Sequence, residues 1–249
     1  MRNSFGAVSF INSLPFFCGG KSARFDFDFR VPSELNAASR AGVYDVSMIS
    51  RWAYRFCEDE YAVLPRFCIG GDGEIMSIKL FSKFDISELY RGGIFITPQT
   101  GTSSRAYRKI CLEKYGFDIA ALPRQPLETA DSAVLIGDAA LAFDASRYPH
   151  SYDLGELWRD WAKCKMLYAI FVIRRGLFDA LSGAVAEYLD ASLAAFESDR
   201  TAVLDAAERA ANGVLGRGVL EKYYTRLIYK MDADDFQKSF EFVRKNENF

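Results

Sequence analysis

Short apolar runs alternate along the chain with longer amphipathic stretches, and the alternation predicts strands and helices in turn. The stretch GAVSFINSLP, residues 6–15, sets the theme: Val8, Phe10 and Ile11 predict a short buried strand over 6–12. Asn12-Ser13-Leu14-Pro15 then stops the strand and opens a helix, since Pro15 suits a first turn where a missing N–H costs little. Asn12 is thereby expected at the carboxyl end of a buried strand, beside free helix N–H groups. Open α/β sheets bind small ligands at that place.

The same punctuation recurs downstream. The alternating aromatic and charged residues of FDFDFRV predict a half-exposed strand over 25–31; Pro32-Ser33-Glu34 opens a helix through Ala41, and Gly42 closes it. A strand over 44–49 ends at Ser50, before a helical 51–57. Strands over 62–69 and 75–82 flank the turn Gly70-Gly71-Asp72-Gly73, and Ser77 lies in the second strand among apolar neighbours. Strands over 93–97, 133–136 and 166–174 follow, interleaved with helices entered at Gly101-Thr102-Ser103-Ser104, at Gly137-Asp138 and at 157–162. From Leu177 onward the pattern is helical, broken near 212–218.

Strands alternating with helices predict an α/β fold with largely parallel strands. The order of elements suggests two lobes, the second inserted into the first, with crossings near 81–86 and 166–175. Lobe 1 is then 1–84 with 170–249, and lobe 2 is 85–169. This is the plan of a two-lobed, type II periplasmic-binding-protein-like fold, in which two crossover segments join lobes that close on a ligand in the cleft between them.

Composition narrows the function classes. At 249 residues, half of them apolar and 26% charged, the chain can bury two compact cores. A formal net charge of -2 gives no electrostatic reason to expect nucleic acid or an acidic membrane surface as partner. The first 15 residues hold one Arg and an apolar run too short for a signal peptide, and no stretch reaches the length of a membrane span, so a cytoplasmic location is expected. The five cysteines are widely spaced with no C-x-x-C pair, which reads as buried reduced thiols. His150, the single histidine, stands in a Tyr-Pro-His-Ser loop with no second histidine to share a metal, so no metal site is predicted.

The candidate chemistry lies where strands end. Asn12, Ser50, Ser77, the 100–104 hydroxyl turn and Asp138 all fall at such places. Each has a plain structural alternative: Asn12 as a turn residue, the Ser/Thr run and Asp138 as helix caps, Ser77 as a hydroxyl satisfied by backbone. No G-x-G-x-x-G or Walker lysine supports nucleotide binding, and no G-x-S-x-G elbow supports a serine nucleophile. Chemistry here would rest on positioning, hydroxyls and helix-end dipoles rather than on a strong protein base.

FINSLPF, DVSMIS, GDGEIMSIKLFS, GTSS, AVLIGDAAL and YDLGELWRDW, in this order and spacing, resemble the chorismate dehydratases of the futalosine route to menaquinone. The likeness runs from Phe5 to about Tyr224. It implies a hydro-lyase that converts chorismate, a small dianion, to 3-[(1-carboxyvinyl)oxy]benzoate with no metal or organic cofactor. The resemblance places Asn12 and Ser77 in the catalytic role. Thr102 and Ser103 complete the ligand shell it implies, with Asp138 as contact or scaffold, and Ser13, Ser50 and Gly101 are expected in the same substrate shell. The chain departs from the family at Ala162-Lys163-Cys164-Lys165-Met166, where relatives carry Thr-Gly-Leu-Pro-Phe; this segment is expected to line the cleft and offer two lysines to carboxylates. A sister enzyme of the same fold, a 1,4-dihydroxy-6-naphthoate synthase, is expected to need a cleft histidine. A non-catalytic cytosolic small-anion binding protein or sensor is the alternative from another class. Tyr223, Tyr224, Phe236, Phe240 and Phe242 read as core, with a homodimer face as the alternative.

Overall fold

The computed structural model describes residues 2–20 and 22–246. Its first strand, β1 (Asn3–Val8), sits between β2 (Phe25–Arg30) and β3 (Val46–Ser50), both parallel to it. Helix α1 (Pro32–Arg40) links β2 to β3, with Pro in its first turn, Arg40 in its last, and Gly42 beyond it at φ +67. The chain then runs through β4 (Tyr61–Gly71) and leaves for a second sheet.

That sheet holds β5 (Ile78–Ser82), β6 (Ile94–Ile96), β7 (Ser132–Ile136) and β8 (His150–Asp153), in the order β6-β7-β5-β8. Helix α2 (Thr102–Ile110) follows β6, the four-residue α3 (Asp138–Leu141) follows β7, and α4 (Leu154–Ala162) follows β8. Strand β9 (Met166–Arg174) returns the chain to the first sheet. Helices α5 (Phe178–Ser198), α6 (Thr201–Ala210) and α7 (Arg217–Arg226), the short strand β10 (Ile228–Lys230) and α8 (Ala233–Lys245) complete it. The first sheet has the order β10-β4-β9-β3-β1-β2.

Three features differ from the expectation. The strands are not largely parallel: β9 is antiparallel to both β3 and β4, β10 to β4, and β5 to both β7 and β8. Strands that carry the chain out to the inserted sheet and back must run opposite to their neighbours, a constraint of connectivity that local pattern does not express. Secondly, the crossings fall at residues 72–77 and 163–165 rather than 81–86 and 166–175. Strand β5 pairs with β7 and β8, so it lies in the second sheet although a boundary at 84 assigns it to lobe 1. Met166 already pairs with Gly71 in the first sheet, ahead of a boundary at 170. Finally, β1 ends at Val8, and residues Ile11–Phe16 form a 3-10 helix that holds Pro15 inside it.

The core of the first sheet is aromatic. Phe5 of β1, Phe16 of the 3-10 helix and Phe171 of β9 are fully buried, and the Phe16 and Phe171 rings meet edge to face at 4.8 Å. Tyr223, Tyr224 and Phe236 are buried as well, so this part of the C-terminal aromatic set is core. All five cysteines are free thiols; four are buried, and burial pushes Cys57 up to about 11 and Cys111 up to about 12. Such thiols are protonated and inert at neutral pH.

Candidate active site

Between the two sheets lies a cleft walled by residues from both. The first sheet contributes Val8, Met48, Ser50, Ile69, Tyr168 and Ala169, and the 3-10 helix contributes Asn12. From the second come Ser77, Ile78, Gln99, Gly101, Thr102, Ser103, Ile136 and Gly137. Among the described residues that line it, none carries a charge.

Asn12 enters the cleft on a turn fixed by its neighbours. The Ser13 hydroxyl donates to the Val8 carbonyl at 2.5 Å and bears on the Phe10 carbonyl at 2.9 Å, while the Ser13 N–H donates to Phe10 at 3.1 Å. Ser13 is 1% exposed and does not line the cleft: it holds the turn and is not free for a ligand, contrary to its expected place in the substrate shell. The Ile11 N–H points across to the second lobe and donates to the Asp138 carboxylate at 3.3 Å. Asp138 stands behind the cleft wall rather than in it. Burial pushes its carboxyl up to about 6, against the pull of that amide.

Ser77 follows a tight crossover. Asp153, which is 4% exposed, accepts N–H groups of Ile75 at 3.1 Å, Met76 at 2.7 Å and Gly155 at 2.9 Å. This carboxylate caps α4 and clamps residues 75–76 at once, so Ser77 is delivered at a fixed height. The Ser77 carbonyl accepts the Gly137 N–H at 2.7 Å. Gly137 has φ +64, and a Cβ there would meet the Phe10 ring at 2.9 Å, so the contact of the two lobes requires glycine.

The hydroxyl turn divides into two duties. The Thr102 hydroxyl accepts the Trp52 N–H at 3.1 Å and reaches toward the Tyr168 carbonyl at 3.5 Å, both in the first lobe. Thr102 therefore joins the lobes. Helix α2 begins at Thr102, which leaves the N–H groups of the turn at 101–103 without intrahelical acceptors at the cleft wall, next to the Ser103 hydroxyl. Opposite, the Ser50 oxygen accepts from the Asn36 amide and the Ala53 N–H, both at 3.2 Å, which leaves its own O–H to donate into the cleft. The site is thus an array of neutral donors, suited to an anion.

A family model described as menaquinone biosynthesis matches residues 4–247. The chain belongs to that family. It is 28% identical over 169 residues to the chorismate dehydratase of Thermus thermophilus, an alignment that takes in 58% of this chain and spans 60% of the relative's length. Among solved structures, protein AF1704 from Archaeoglobus fulgidus aligns with a TM-score of 0.79 at 18% identity, over 100% of this chain and 98% of that one. The alkanesulfonate-binding protein SsuA from Xanthomonas axonopodis, bound to MOPS, aligns with a TM-score of 0.68 at 12% identity, over 98% and 93% of the two chains. The periplasmic aliphatic sulphonate binding protein SsuA from Escherichia coli gives a TM-score of 0.67 at 10% identity, over 98% and 92%. The fold is that of the type II periplasmic binding proteins.

These likenesses overturn the expected cytoplasmic location. The solved structures that share this fold include the periplasmic aliphatic sulphonate binding protein. No helix among the described residues is long and apolar enough to cross a membrane.

In this menaquinone-biosynthesis family member, residues 162–166 do not line the cleft. Lys165 binds Asp235 at 2.5 Å and Lys163 binds Asp160 at 3.3 Å, both on the outer face. Lys163 occupies the left-handed region at φ 54 and ends α4, which turns its side chain outward. His150 stacks parallel on Tyr152 on the edge strand β8 and has no part in the cleft. Sequence reasoning missed Gln99 and Tyr168. Gln99 stands in the TPQTGTSS loop next to a motif already singled out, whereas Tyr168 lies in an apolar run that reads as core.

Proposed function

We propose that the chain is a lyase that dehydrates chorismate to 3-[(1-carboxyvinyl)oxy]benzoate, an early step of menaquinone biosynthesis. The observation that carries this reading is the uncharged cleft where Asn12 and Ser77 meet the α2 N-terminus and the Ser50 and Ser103 hydroxyls. Helix-end amides and hydroxyls hold carboxylates without a cationic cluster. The elimination breaks a ring C–H bond; the electron pair enters the ring π system as the adjacent C–O bond breaks, and the hydroxyl leaves with a proton as water. Aromatisation drives the reaction, so the site has chiefly to orient the substrate. Among the described residues the cleft wall holds no lysine, histidine or carboxylate, so a carboxylate of the substrate itself takes the ring proton and passes it to the departing hydroxyl, which leaves as water. Asn12 orients the substrate, Ser77 hydrogen-bonds a carboxylate or the departing hydroxyl, and Ser103 with the amides of Gly101 and Thr102 holds the second carboxylate.

Purified protein incubated with chorismate should yield a product lighter by one water in mass-resolved chromatography, and Asn12→Ala and Ser77→Ala should each abolish it. Full turnover by both variants would sink the assignment. A second reading is a non-catalytic small-anion binding protein, favoured by the likeness to a fold neighbour bound to the sulfonate MOPS. Unchanged chorismate together with a raised melting temperature would support that reading.

A further inference from the structure

The loop that joins β6 to α2 carries a cleft residue, Gln99, to which the proposed chemistry gives no role. The Thr100 N–H donates to the Thr97 carbonyl at 3.3 Å and closes a tight turn, with Pro98 and Gln99 at its two central positions. Proline has a fixed φ and suits the first of those positions, so the turn is stiff where it delivers Gln99 to the cleft wall. The Thr97 N–H donates to the Val134 carbonyl of β7 at 3.1 Å, which anchors the turn to the second sheet.

One end of the Gln99 side chain is already committed. The Thr97 hydroxyl donates to its side-chain carbonyl at 2.5 Å. Among the described residues nothing accepts from the amide nitrogen, and that nitrogen is not one of the buried polar atoms left without a partner. It therefore stands open on a half-buried residue of the cleft wall. An amide has two ends of opposite polarity: its oxygen facing the cleft would repel an anion, whereas its nitrogen donates to one. Holding the oxygen from Thr97 turns the nitrogen to the cleft. The next hydroxyl has a different duty, since the Thr100 oxygen accepts the Ser104 N–H at 3.0 Å and caps α2.

We propose that Gln99 is a further ligand-binding residue: its amide nitrogen donates to an anionic group of the ligand, a carboxylate in chorismate, and Thr97 is the positioning residue that fixes the polarity of the amide. The proposal deepens the reading of the cleft as an anion site and rests on it, but it does not depend on whether the bound anion is dehydrated. A carboxylate that is held but not consumed binds Gln99 alike in the ground state and the transition state. Loss of the amide therefore raises KM more than it lowers kcat.

The test measures half-saturation of the full-length chain by chorismate, from initial rates or, where chorismate is left unchanged, from titration calorimetry. Gln99→Ala should raise the half-saturating concentration about tenfold, with kcat changed much less. Gln99→Glu keeps the shape and the bond from Thr97 but turns a negative oxygen to the cleft, and should raise it about a hundredfold. A residue that only supported the turn would give the reverse order, with the isosteric Glu tolerated better than Ala, and that order overturns the proposal. Thr97→Val should raise half-saturation about threefold, and Thr97→Ser should recover most of that loss. The double variant Thr97→Val with Gln99→Ala should bind no more weakly than Gln99→Ala alone. Wild-type half-saturation in Gln99→Ala overturns the proposal and, if chorismate is still dehydrated, leaves the dehydratase reading standing. Chorismate bound but not dehydrated by the wild type, with the Gln99 variants in the expected order, sinks the dehydratase reading and supports this one. Chorismate that neither reacts nor binds overturns both.

Discussion

Asp153 holds Met76 in the left-handed region: its carboxylate accepts the Met76 N–H at 2.7 Å while Met76 stands at φ 65. Left-handed backbone is costly for a residue with a long side chain, so the conformation persists only while the surroundings fix it. The next residue is Ser77. The first crossover thus carries strain precisely placed beneath a cleft hydroxyl, and the carboxylate that bears it sits at the start of α4.

Replacing Asp153 tests this arrangement. Asp153→Ala leaves three buried N–H groups unpaired and should cost about 3 kcal/mol in urea denaturation. Asp153→Asn keeps an acceptor for one or two of them and should cost about half as much. In both variants turnover should fall further than the loss of folded protein accounts for, because Ser77 is no longer held at its height. An Asp153→Asn protein with unchanged kcat would separate the clamp from the site.

Asp138 makes a prediction about pH. Burial raises its carboxyl in the folded chain up to about 6, above the ordinary value of 3.8. The folded state therefore binds the proton more tightly than the unfolded state. Its contribution to stability is complete below about pH 4 and is lost as pH rises through about 6. At pH 8 the ionised carboxylate in its partly buried place costs about 1–2 kcal/mol, after discounting for solvent. Asp138→Asn keeps an acceptor for the Ile11 N–H and removes that cost. The variant should be more stable than wild type at pH 8 and equal to it at pH 4, by denaturation at both. Anion affinity should show the same sign: binding to wild type weakens through pH 6, and binding to Asp138→Asn stays flat.

Gly101 predicts the effect of added bulk at the lobe junction. A Cβ there would stand 3.1 Å from the Ser50 oxygen and 3.9 Å from the Asn36 amide. The Ser50 oxygen has little room to retreat, since it accepts from both Asn36 and Ala53. Gly101→Ala should raise KM about tenfold, an effect of about 1.4 kcal/mol on closure, with a melting temperature near that of wild type. A melting transition lowered as much as affinity would place the strain in the fold instead.

Much of this was legible in the sequence because the residues carry local signals. Pro32, Gly42 and Gly137 punctuate the chain where its elements turn, and β9 appears over the very residues its apolar run marks. Asn12, Ser50, Ser77 and Ser103 were visible for the same reason: polar residues at the ends of apolar runs stand out. Three-residue β10 is too short for periodicity to mark, and antiparallel pairing is a property of where the chain returns. Lys163 and Lys165 misled in the opposite way. Charge near a cleft-forming segment suggests an anion site, but the left-handed turn at Lys163 sends that side chain out, and Asp235 takes Lys165.

Thr102 and Ser103 are adjacent hydroxyls that should fail differently. Thr102 accepts the Trp52 N–H at 3.1 Å, and one turn later the Arg105 guanidinium lies over the Trp52 ring at 3.2 Å. Both contacts cross from the second lobe to the first, so they stabilise closure whether or not a ligand is bound. Thr102→Val keeps the shape and removes the acceptor. It should shift the unliganded protein toward an open form, seen as a larger radius of gyration in X-ray scattering, and saturating ligand should restore the compact value at a Kd raised about fivefold or more. Ser103→Ala removes a donor beside the free amides of α2 without touching the first lobe. Affinity should fall by a similar factor while the radius of gyration of the unliganded protein stays at the wild-type value. An open Ser103→Ala protein, or a compact Thr102→Val protein of normal affinity, would mean that the two duties are not divided between these hydroxyls.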